Sequence, residues 1–256
     1  MKVLCIGDVV GDSGVSFLCR KLPALKRELS ADLCIVNGEN ADNSGTGITR
    51  GAADEILSHG ADVITTGNHA LRRADTELYT ESETILMPAN YPGLERSASV
   101  CEIDFGKYRV MVANLSGVAF LEPLDNPFIC ADSIVSASDA RFKIIDFHAE
   151  STAEKKAFAY YLDGRVSAIF GTHTHVPTAD EQVLPLGTGY ITDVGMCGPV
   201  NSVIGVEPKC AIAKQKSHLP ARFAVAEGKC AMHGVLFTLD DTSGLCVEAR
   251  RVTICE

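Results

Sequence analysis

The chain has 256 residues, 46% of them hydrophobic and 22% charged, with a formal net charge of −10. These are ordinary globular values, which exclude a disordered chain and allow a real core. The acidic balance, with basic clusters no longer than pairs such as Lys155-Lys156 and Arg250-Arg251, excludes stable duplex nucleic-acid binding, although a small phosphorylated ligand remains compatible because bound cations reverse the local field.

In chain order, Lys2 to Ile6, Asp32 to Val36 and Asp62 to Thr66 read as strands, separated by helical periodicity at Val15 to Leu29 and Arg50 to His59. After Ile85 to Met87, the segments Ser99 to Phe105 and Tyr108 to Asn114 flank Gly106-Lys107 as a hairpin. Phe142 to Asp146 and Val166 to Phe170 return to the strand pattern, with a helix at Thr152 to Leu162 between them. Arg222 to Ala226, Ala231 to Leu239 and Leu245 to Ile254 read as a closing antiparallel meander. With no repeat or linker, residues 1–256 are expected to form one α/β domain of two packed mixed sheets with helices outside. No apolar run approaches the roughly 18 to 20 residues that span a bilayer, so the expected location is the cytoplasm. The ten cysteines contain no C-x-x-C pair and lie mostly in apolar segments, which predicts buried reduced thiols.

The chemistry sits where the strands end. Asp8, Glu39 with Asn40, Asn68 with His69, His148, and His173 with His175 each follow an apolar strand, and ligands in open α/β sheets bind beyond the carboxyl ends of the strands. Taken singly, each has a plainer reading. Asp8 could cap the next helix, Asn37-Gly38 could be a hairpin turn, Asn68 could bond to the backbone of a turn, His148 could be a core histidine, and the last pair could be loop histidines. Their recurrence at successive strand ends favours one shared site. An extended backbone through Gly171-Thr172-His173-Thr174-His175 would turn both imidazoles to one side. Carboxylates, Asn carbonyls and imidazoles without thiolate suit Mn, Fe, Co or Zn better than Ca. The donors are too many for one tetrahedral centre, so two divalent ions are expected, bridged by Glu39, as in sites that hydrolyse phosphate esters. His59, His218 and His233 lack such partners and are read as structural or surface residues.

Together these motifs resemble the calcineurin-like metallophosphoesterases, whose pattern is D-x-H, G-D, G-N-H, a later His and G-H-x-H. The segments Gly7-Asp8-Val9-Val10-Gly11, Asn37-Gly38-Glu39-Asn40, Asp146-Phe147-His148-Ala149-Glu150, Gly171-Thr172-His173-Thr174-His175-Val176 and Ile191-Thr192-Asp193-Val194-Gly195-Met196 are similar to the narrower YmdB-like phosphodiesterases. That resemblance implies a four-layer αββα sandwich and a dinuclear site holding Fe or Mn, with Zn or Co as the alternatives. It also implies hydrolysis of 2′,3′-cyclic nucleotides such as 2′,3′-cyclic AMP, with attack by a metal-bridging hydroxide, and leans to a homo-oligomer. Carried over, Asp8, Glu39, Asn40 and His175 hold one metal, and Glu39, Asn68, His148 and His173 the other. His69 is left to protonate or stabilise the departing oxygen. Val10 stands where D-x-H has its His, and Ala70 follows Gly-Asn-His where an acid is frequent. Asn40 is assigned the vacated coordination position, and no acid that orients His69 is evident. A dehydrogenase is opposed by the absence of G-x-G-x-x-G, and a serine hydrolase by the absence of G-x-S-x-G. The remaining alternative is a metal-bound regulatory or scaffold protein with little hydrolase activity.

Overall fold

The computed structural model describes residues 1–72, 77–93, 95–220 and 222–256. In chain order the first half contains β1 (Lys2–Ile6), β2 (Asp8–Val9), α1 (Gly11–Leu29), β3 (Leu33–Asn37), α2 (Arg50–Ser58), β4 (Val63–Thr65), α3 (Glu77–Glu81), β5 (Ile85–Leu86), β6 (Val100–Asp104) and β7 (Arg109–Ser116). The second half contains α4 (Pro127–Ser136), β8 (Phe142–His148), α5 (Thr152–Tyr161), β9 (Ala168–Thr172), β10 (Gln182–Val183), β11 (Gly189–Ile191), β12 (Met196–Pro199), α6 (Pro208–Ser217), β13 (Cys230–Leu239) and β14 (Cys246–Cys255).

Among the described residues the strands form two mixed sheets. The first runs β2-β12-β13-β1-β3-β4-β5 with β14 also on β13, and the second runs β10-β11-β9-β8-β7-β6. β1, β3, β4 and β5 are parallel, as are β7, β8, β9 and β11. Strand alternation produces the layers. On β1, Val3 and Cys5 face the second sheet and pack with Val112, Phe142, Ile144 and Phe170. Leu4 and Ile6 face the other way, onto Phe17, Leu18 and Leu22 of α1 and Ile56 of α2. On the far side of the second sheet, Met111, Leu115, Ile145 and Phe147 pack on Ile134 of α4 and Phe158 of α5. Strands buried on both faces read as continuous apolar runs, and the result is an αββα sandwich. All ten cysteines carry free thiols. No described helix is long and apolar enough to cross a membrane.

Several expected elements differ. Arg222–Ala226 is not a strand, because Val225 makes only an isolated bridge to Val206, and β13 pairs instead with β1, β12 and β14. The strand expected at Val166 to Phe170 is shifted to Ala168–Thr172, and β8 extends to His148, so that this histidine ends the strand rather than following it. The cap reading of Asp8 fails: Val10 occupies the N-cap of α1 and makes no side-chain cap. His59 does cap α2, and His218 caps α6 in a left-handed conformation. Helices α4 and α6 lie outside the expected pattern, although each opens with Pro in its first turn, a common helix start.

Candidate metal centre

The site residues converge because two parallel strand sets end at the same place. Gly7 lies so close to Gly195 that a Cβ there would sit 1.8 Å from the Gly195 carbonyl oxygen. This close approach delivers Asp8 onto β2, beside β12, with its amide donating to that carbonyl (3.2 Å). After β3 the Asn37 side-chain oxygen accepts from the Glu39 amide (3.1 Å), turning the chain so that Asn40 bridges Val10. The Asn37-Gly38 hairpin is thereby excluded. After β4, Gly67 leaves no room for any side chain: a Cβ would meet Glu39 Oε2 at 1.7 Å and the His148 ring at 2.2 Å.

One cluster surrounds His148 Nε2, with Glu39 Oε2 at 2.8 Å, Asn68 Oδ1 at 3.1 Å and His173 Nδ1 at 3.1 Å. Single donor atoms of Glu39, His148 and His173 all lie within 4.8 Å of one another. Beside it, Asp8 Oδ1 lies 3.8 Å from His175 Nε2 and 3.9 Å from His148 Nδ1, and the Asn40 amide nitrogen is 3.0 Å from His175 Nε2. His69 lies on the other side of Glu39, its Nδ1 2.9 Å from Glu39 Oε1 and 3.0 Å from Asn40 Oδ1. Glu39 therefore faces His148 with one oxygen and His69 with the other, which supplies the acid partner that the sequence leaves open.

Each of the three clustered imidazoles is oriented from behind. The Thr172 hydroxyl donates to Asp146 Oδ1 (2.7 Å), so at 2.9 Å its oxygen accepts from His148 Nδ1, leaving Nε2 for the cluster. His173 turns Nε2 to Glu150 (3.2 Å), and His175 gives Nδ1 to the Ile204 carbonyl (2.9 Å). Outer-nitrogen bonds of this kind present the inner lone pair of a histidine to a metal. The His173–His175 segment does so without an extended backbone. His173 and His175 have φ of 99° and 64°, in the left-handed region that L-residues rarely occupy and that clusters at functional sites.

The electrostatics favour a cation. Asp8 Oδ1 is buried with no hydrogen-bond partner, a costly state for an acceptor that a bound cation would relieve. Burial raises the Asp8 carboxyl above its ordinary value. Burial would raise Glu39 too, but the charge and hydrogen bonding of His148 and His69 hold it well below the usual carboxylate range. Burial would lower His148, but Glu39, Asp8 and Asp146 together push it up to about 9. Burial and the neighbouring His148 push His173 down to about 3. The donor set of carboxylate, amide oxygen and imidazole can hold a first-row divalent ion.

The residues beneath the site are not among those the sequence singles out as ligands, although Asp146 and Asp193 stand in its motif segments. Asp146 is pushed up to about 6 by burial, against the hydrogen bonds it accepts from the Thr65 hydroxyl, Asn37 (2.9 Å) and Thr172. Lys155 of α5 is buried and donates to the Thr172 carbonyl and to Asp193 Oδ2, both at 2.7 Å. Asp193 in turn accepts from the Thr174 and Gly195 amides at 3.1 and 2.9 Å. This ion pair ties the two-histidine turn to the backbone under Asp8. Lys155→Met is expected to cost about 3–5 kcal/mol, because Asp193 is left an unpaired buried charge, and also to weaken metal retention. Denaturant midpoints and metal titration on one sample check this; lost stability with unchanged metal affinity would contradict the positioning role.

A family model described as YmdB-like protein matches residues 4–252. The chain is 40% identical over 257 aligned positions to the 2′,3′-cyclic-nucleotide 2′-phosphodiesterase of Bacillus subtilis (strain 168), covering 99% of this chain and 97% of that protein. Among solved structures, a hypothetical protein from Thermus thermophilus superposes with a TM-score of 0.94 at 36% identity, covering all of both chains. A structure titled as a novel phosphatase from Mycoplasma pneumoniae gives 0.92 at 33% identity, covering 100% of this chain and 93% of the other. The chain belongs to the YmdB-like family within the calcineurin-like metallophosphoesterases, and is a phosphoric diester hydrolase.

Proposed function

We propose that the chain is a dinuclear metal-dependent phosphodiesterase acting on small phosphodiesters, 2′,3′-cyclic nucleotides such as 2′,3′-cyclic AMP foremost. The observation that carries this reading is the convergence of three imidazoles, each fixed through its outer nitrogen, on Glu39 Oε2 and on the buried, unpartnered Asp8 Oδ1. In it, Glu39, Asn68, His148 and His173 hold one ion, Asp8, Asn40 and His175 hold the second, and Glu39 is shared. Asn40 meets His175 through its amide nitrogen as oriented here, so its carbonyl reaches that ion after an amide flip, an orientation that is assigned from contacts. Bound divalent ions of the Fe or Mn type supply Lewis acidity to the phosphoryl oxygens and lower the pKa of water towards neutrality.

The residues of the chain do the rest. Glu39 Oε1 faces His69 Nδ1 at 2.9 Å, which holds the proton there whichever way the Asn40 amide is turned and leaves Nε2 as the second proton site of the ring. His69 is 29% exposed and lines the cleft, a suitable place for a general acid towards the departing oxygen. The net charge of −10 disfavours a duplex, and the name of the Bacillus subtilis relative supports the cyclic nucleotide.

Metal analysis coupled to a phosphodiester panel tests this. Chelation is expected to abolish turnover, and Mn or Fe to restore more than Mg. Small cyclic diesters are expected to outpace duplex DNA at matched phosphodiester concentration. Full activity in a metal-free preparation would refute metal dependence, and metal binding without turnover across the panel would favour the scaffold alternative.

A further inference from the structure

The cleft beside the metal cluster has a volume of about 450 Å³, within the range of small-ligand sites. Its walls differ in chemistry. Glu39, His69 and His175 supply polar groups, and Ile204, Val206 and Phe223 supply an apolar wall. The apolar wall consists of two short segments laid against each other. Val206 and Val225 form an antiparallel bridge, the Glu207 amide donates to the Ala224 carbonyl (2.9 Å), and the Ala226 amide donates to the Gly205 carbonyl (2.8 Å).

Ile204 breaks a local rule. Val203 and Val206 exchange amide-to-carbonyl bonds of 2.8 and 3.0 Å around it, closing a tight turn whose central residues, Ile204 and Gly205, have φ of 49° and 96°. Such a turn takes Asn-Gly or Gly-Gly, and a β-branched residue at positive φ is strained. Core packing does not explain the choice, since Ile204 is 49% exposed. Strained positions of this kind cluster at binding and active sites. The Ile204 carbonyl also accepts from His175 Nδ1 (2.9 Å), which fixes the turn at the edge of the metal cluster. Phe223 contributes a half-exposed ring to the same cleft.

The geometry points to a nucleobase subsite, in which Ile204 and Phe223 hold the base of a nucleotide whose phosphate lies at the metal cluster. The phosphate end rests on the phosphodiesterase reading above; the base end rests on the strained turn and the apolar wall. A flat aromatic heterocycle matches this wall because it stacks on a phenyl ring and packs against an aliphatic side chain without needing polar partners on its faces. The two residues thus discriminate between nucleotides and phosphodiesters lacking a base.

Calorimetric titration of the metal-reconstituted protein with adenosine 3′-monophosphate and with inorganic phosphate tests the subsite independently of turnover. The wild type is expected to bind the nucleotide more tightly than phosphate. Phe223→Ala is expected to weaken the nucleotide roughly 5- to 150-fold, the range for loss of one base–aromatic stack, while phosphate binds as before. Ile204→Asn removes the apolar side chain but suits the turn, so it is expected to raise Tm while weakening the nucleotide. Equal wild-type affinity for the two ligands, an equal loss for both in Phe223→Ala, or a lower Tm in Ile204→Asn would overturn the inference. Hydrolysis measured on the same sample separates the two readings: absent turnover with base preference intact removes the proposed activity and leaves the subsite standing.

Discussion

His69→Gln is expected to leave metal content unchanged and to lower kcat by roughly 10²- to 10⁴-fold, the range for loss of a general acid, with less effect on KM. The reason lies in its position: His69 contacts Glu39 Oε1 and Asn40 Oδ1, on the opposite side of Glu39 from the atoms that crowd His148 Nε2. His148→Ala and His173→Ala instead remove imidazoles from that crowd and are expected to lower metal occupancy. Metal analysis of the three variants beside their kinetics separates the roles. A diester with a much better leaving group needs less protonation in the transition state, so it is expected to rescue His69→Gln in part and the other two not at all. If His69→Gln lost metal in proportion to activity, its role would be that of a ligand or a support for one.

Gly67→Ala is expected to lower kcat/KM by about 10²-fold or more, an effect comparable to misplacing a catalytic group by about 1 Å. The added carbon would stand 1.7 Å from Glu39 Oε2 and 2.2 Å from the His148 ring, so both groups must move. Overpacking of this kind also costs stability, typically about 1–3 kcal/mol, but the fold should persist because the collision is confined to the site. Circular dichroism, thermal unfolding and metal titration of the purified variant check this. Wild-type metal affinity and turnover in Gly67→Ala would show that the close approach of β4 to the cluster has no catalytic consequence.

Much of the fold was legible because its strands are buried on one or both faces and its first helices are amphipathic, so that β1, β3, α1 and α2 announce themselves by periodicity. The short strands β11 and β12 were missed, since Gly189 in one and Gly198-Pro199 in the other read as loop residues. Arg222–Ala226 misled because its apolar residues face a cleft rather than a sheet partner, and local composition does not distinguish these destinations.

The site divides in the same way. Sequence alone determined the identity of the chemical groups and their placement at strand ends, because strand order and the run of motifs are local properties of the chain. Only the tertiary structure decided which nitrogen of each imidazole faces inward, since that depends on Thr172, Glu150 and the Ile204 carbonyl arriving from separate segments. It also paired Lys155 with Asp193 and set Glu39 against His69. The left-handed turns at His173, His175 and Ile204 were likewise hidden, because intrinsic propensity disfavours them and only long-range contacts can hold a residue in a conformation that its own side chain resists.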